Sequence, residues 1–160
     1  KSSFQTIKFT NTYLPIWALL AVYNNEYNAV EPRGRFIDLA INRGKQLYFL
    51  SKVFPTMPFE TIMGYTKEQY EWAENNQAQI YNFFKSQDII FDKNLQQSMR
   101  YLNEGPFAPG MPQESPGNIG SFLGYKIVCA YAEKTNKSVK EILTEKDHLK
   151  IFNQSKYKPA

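Results

Sequence analysis

Residues 115–134, SPGNIGSFLGYKIVCAYAEK, decide the fold class. Ile119, Phe122, Leu123, Ile127, Ala130 and Tyr131 recur at helical spacing, so one side of a helix is set for burial. Ser115 followed by Pro116 predicts its start, a hydroxyl cap ahead of proline at the first helical position. The helix is expected to run to about Lys134. Gly120 and Gly124, one turn apart, leave a flat strip where another backbone can approach closely. Membrane helices pair through the same spacing, but Ser121 and Lys126 favour close packing inside a soluble core.

Working outward, residues 105–117 (GPFAPGMPQESPG) hold four prolines and three glycines, which no regular element accommodates. An ordered surface loop is predicted rather than a linker, because apolar Phe107 and Met111 imply packing onto something. Ahead of it a short helix is expected over residues 93–102. Thr66 to Gln69 spell a capping box that opens a helix to about Gln87. Trp72, Ala73, Ile80, Phe83 and Phe84 form its buried stripe, while Glu71, Glu74, Asn75, Gln79 and Asn82 face water. Residues 34–53 make another helix, interrupted by Gly44 at a cost of roughly 1 kcal/mol against Ala. Pro55 and Pro58 close it. Residues 15–28 start on Pro15 at a first helical position. Downstream, Ser138 and Glu141 form a second box that opens a short helix to about Thr144. Asp147 then caps a last helix to about Gln154. Strict alternation nowhere persists; residues 4–9 are the best strand candidate, so any sheet is small. The chain reads as mainly α, with residues 1–160 forming one domain.

Composition agrees. The 160 residues are 42% apolar and 16% aromatic, which fits one ordinary globular domain. Nineteen basic against 15 acidic residues give +4, spread along the chain and too dilute for a nucleic-acid footprint. The longest apolar stretch, residues 14–23, is about half a membrane span. The chain begins at Lys1 without a signal peptide, which suggests a trimmed product.

One Cys excludes an internal disulfide framework, and one His excludes a site built on two histidines within this chain. His148, flanked by Lys146 and Lys150, is expected to be a surface or cap histidine. Cys129 lies on an apolar helical run and is expected to pack as a small hydrophobe. Asp88 and Asp92 read as solvated turn residues, Glu71 and Glu74 as a polar face beside Lys67. Lys146, Lys150, Lys156 and Lys158 make a modest basic end. Ser115 has no base to activate it, and no phosphate loop, dinucleotide fingerprint or serine elbow appears. The expectation is no catalytic residue, no metal ligand and no cofactor.

Residues 115–125 (SPGNIGSFLGY), followed by Lys126-Ile127-Val128 and Ala130-Tyr131, have a further meaning. With the terminal run 151–159 (IFNQSKYKP), they resemble the C-terminal part of the gliding-motility lipoprotein GldB family of Bacteroidetes. Residues 44–49 (GKQLYF) and 62–66 (IMGYT) fit as well, so the likeness spans about residues 14–159. The resemblance implies an envelope lipoprotein facing the periplasm, tied to gliding motility and type IX secretion. It also implies kinship with zinc-dependent proteases that carry a His-Glu-x-x-His helix and an acidic third ligand. Here the nearest upstream apolar helix, residues 18–23, has neither imidazole nor carboxylate. Arg43 stands before Gly44, where that acid is expected. The fold implied is the C-terminal part of a zincin-like helical domain.

A non-catalytic envelope protein that binds a protein partner is therefore expected, without nucleic acid. Membrane attachment would come only through a lipid anchor absent from this chain. The alternative is a fragment of a zinc metalloprotease whose metal-binding helix lies upstream of Lys1. Phe107, Pro109, Met111 and Pro112 are the candidate partner-binding residues, since prolines lower the entropy lost on binding and the apolar pair can anchor.

Overall fold

A computed structural model describes residues 14–27 and 33–160. Nine helices are found among the described residues: α1 (Leu14–Tyr27), α2 (Phe36–Val53), α3 (Phe59–Met63), α4 (Lys67–Asn75), α5 (Gln77–Ser86), α6 (Leu95–Leu102), α7 (Ile119–Thr135), α8 (Val139–Thr144) and α9 (His148–Ser155). No strand occurs among them, and the strand candidate at residues 4–9 lies outside the described residues.

The centre is the crossing of α2 and α7. Gly44 of α2 lies directly against the backbone of Gly124 in α7, and Gly124 lies against the Ala40 carbonyl. A Cβ at either place would overlap main-chain atoms, so both glycines are required by contact rather than by conformation. The interruption that Gly44 seemed to make in its helix is the means by which the two axes close. Gly120 extends the strip: a Cβ there would come within 2.9 Å of Leu102 and 3.0 Å of the Phe36 ring.

Around this seam Phe36, Ile37, Ile41, Ile119, Phe122, Leu123, Ile127 and Tyr131 are buried. Aromatic rings join the next layer, with Phe36 stacked on Phe84 at 4.6 Å and Tyr101 edge-on to Phe84 at 5.1 Å. The first amides of α2 are met by carbonyls of the segment before α6: Phe36 N–H donates to Asp92 O (2.8 Å) and Ile37 N–H to Ile90 O (3.0 Å). A smaller cluster of Ile16, Leu50 and Ile62 holds α1 and α3 to α2.

The local helix signals hold at Thr66, Ser138 and Asp147, whose side chains accept from the amides of Gln69, Glu141 and Lys150. Three expectations fail. The helix from Thr66 does not run unbroken to Gln87; it breaks at Asn76. There the Asn76 amide side chain donates to Trp72 O at 2.7 Å, competing for a helical carbonyl. Nor does α7 begin at Ser115-Pro116. It begins after Asn118, which has a left-handed φ of 58°, and both Ser115 and Pro116 are buried in the preceding loop. Glu74, expected in water, is half-buried and pairs with Lys126 at 2.8 Å.

Candidate functional site

Residues 105–117 form a loop whose two ends touch. Gly117 lies against the Gly105 backbone so closely that a Cβ would overlap it, and the buried Tyr65 hydroxyl donates to Gly117 O at 2.8 Å. Within the loop Ala108 N–H donates to Ser115 O (3.1 Å), and Ser115 donates to Pro112 O through both its amide (2.9 Å) and its hydroxyl (2.6 Å). Gly110 supplies a φ of 80°, which a turn requires and an L side chain resists. Ala108 and Ser115 are buried. This is a closed surface loop held by hydrogen bonds between its own residues.

Its outer side differs. Phe107 is 45% exposed and faces a cleft of about 480 Å³ between the loop and α6. Gln96, Met99, Arg100 and Asn103 line one wall from a single helical face; Pro106, Phe107 and Pro109 line the other. That volume lies in the range of small-ligand and peptide sites.

Of the four expected residues, the structure brings Phe107 and Pro109 to the cleft. Met111 packs onto the main core, and Pro112 is exposed but does not line the cleft. The α6 wall was missed. Its signal was the spacing of Gln96, Met99, Arg100 and Asn103, which places them on one helical face beside the loop.

The fit to zinc is poor. Helix α1 offers no imidazole, and Arg43 occupies the position where the acidic ligand is expected. Among the described residues no three His, Cys, Asp or Glu side chains converge closely enough to hold a metal ion. Cys129 is half-buried with its thiol pushed up by burial, opposite to the trend of a reactive thiolate. His148, expected at the surface or at a helix cap, stands at the start of α9 but is not at the surface. Its side chain is 10% exposed because α9 docks its first turn on α2, between Lys45 and Asp38.

None of the described helices is long and apolar enough to cross a membrane. The family model described as gliding motility protein GldB matches residues 2–159, nearly the whole chain. No curated protein and no solved structure matches it.

Proposed function

Because the chain belongs to the gliding motility protein GldB family, a lipoprotein family of the cell envelope, we propose that it supports gliding or type IX secretion by docking a protein partner. Docking takes place in the cleft between α6 and the loop of residues 105–117, on the periplasmic side of the membrane. The observation that carries this reading is Phe107: a large aromatic ring left 45% exposed on a loop that is otherwise closed and buried at its neck. Unlike Phe91, which is also exposed, it lines a cleft opposite Met99 and Arg100, where an aromatic anchor contributes most to binding. The role is scaffolding rather than catalysis, supported by a donor set that does not fit zinc and by the absence of any paired nucleophile and base in the cleft lining.

The test is a photo-crosslinking side chain placed at Phe107 in gliding cells, with Phe91 as control, another exposed aromatic (57%) outside the cleft lining. An adduct to one envelope protein from position 107 and not from 91 is expected. No adduct from 107, or the same adducts from both, overturns the cleft as the docking site.

A further inference from the structure

Asp38, Asn42 and Lys45 share one buried face of α2, and helix α9 packs against α2. The Lys45 ammonium donates to the carbonyls of Glu145 (2.9 Å) and Leu143 (3.4 Å), so it caps the C-terminal end of α8 from below. His148, the first residue of α9, sets its imidazole beside this ammonium, with Nδ1 4.0 Å from Asp38 Oδ1. Asp38 is already engaged: Arg35 donates to it from Nε (2.8 Å), from its backbone N–H (2.9 Å) and from Nη2 (3.2 Å). Asn42 Nδ2 is buried with no hydrogen-bond partner among the described residues, so the interface is already incompletely satisfied.

The remaining charges around the imidazole are also committed. Glu145 pairs with Lys150 at 2.5 Å, and Asp147 caps the Lys150 amide at 3.0 Å. Glu141 closes the box at Ser138, and the buried Tyr131 of α7 carries no charge in this range. A proton arriving on His148 therefore meets a neighbouring cation, a carboxylate already neutralised and little water. We propose that the Lys45–His148–Asp38 cluster is an acid-sensitive latch: protonation of His148 releases the α8–α9 pair from α2 and α7 while the glycine seam stays closed.

The direction follows from linkage. Burial first, then Lys45, holds His148 down at about 4 against its ordinary 6.5, with Asp38, Asp147 and Glu145 offsetting only part. In the released state the solvated imidazole takes its proton at the ordinary value. Docking thus loses strength as pH falls from 6.5 toward 4, and the opening constant rises roughly 30-fold between pH 7.5 and 5. Lys45, held at about 8 by burial, is mostly charged across this range and adds only a small slope near its upper end. Glu145, held low by Lys150, adds its own loss only near the bottom of the range.

Amide hydrogen exchange on the whole chain, corrected for intrinsic rates, tests the latch between pH 7.5 and 5. The expected result is a roughly 30-fold increase in opening of α9 with α2 and α7 amides unchanged. His148→Gln removes the increase, and Lys45→Met shrinks it. A flat wild-type profile, an equal increase in His148→Gln, or α2 and α7 opening in step with α9 overturns the proposal. Should His148→Gln fail to fold, the His148 ring titration in the wild-type chain decides. A midpoint well below 6.5 is expected, and one at 6.5 overturns the latch.

Discussion

Two places in this molecule are built from the same device, a pair of glycines whose backbones touch. At the α2–α7 seam Gly44 meets Gly124, and Ala40, Ile41 and Leu123 beside the contact are buried. At the loop neck Gly105 meets Gly117, yet the loop they close presents Phe107 to solvent. The first contact lets two helices approach closely and bury their side chains against each other. The second lets a loop that holds its own hydrogen bonds carry an aromatic ring outward without loosening. Backbone contact gives stability in one region and presentation in the other, and substitutions separate the two.

The largest effect belongs to the seam. Gly124→Ala drives a Cβ into the Ala40 carbonyl, which no rotamer relieves. A loss of about 3 kcal/mol or more is expected, lowering Tm by roughly 10 °C in thermal unfolding. A change under about 1 kcal/mol would show that the helices separate cheaply and would break the comparison. At the neck, Tyr65→Phe removes the donor to Gly117 O and leaves a buried carbonyl unpaired. The expected cost is about 1–2 kcal/mol, measured by denaturant unfolding, with faster exchange confined to the loop amides. Exchange spreading into α2 would mean that the neck is part of the seam rather than separate from it.

Most of the fold was legible because its signals are local. The boxes at Thr66 and Ser138 and the cap at Asp147 each act across three residues, and all three hold. The errors arose where local and distant partners compete. Ser115-Pro116 has the chemistry of a helix start, but its hydroxyl turns back to Pro112 O and both residues close the loop. Gly44 reads as a defect until Gly124, far along the chain, is placed against it. Glu74 and His148 look solvated by their sequence neighbours, and Lys126 and Lys45 from other segments enclose them. The candidate site divides in the same way. Phe107 was readable as an apolar residue in a proline-rich loop, but which of Phe107 and Met111 faces outward depends on where Phe83 and α6 stand.

The smallest expected effect on stability carries the central claim. Phe107→Asp, made in the purified chain and in the parent gene, is to be measured by thermal melting and by cell gliding. Melting within about 0.5 kcal/mol of wild type together with loss of gliding is the predicted result. A fall in Tm comparable to Tyr65→Phe, or normal gliding at unchanged Tm, would contradict a docking role for this ring.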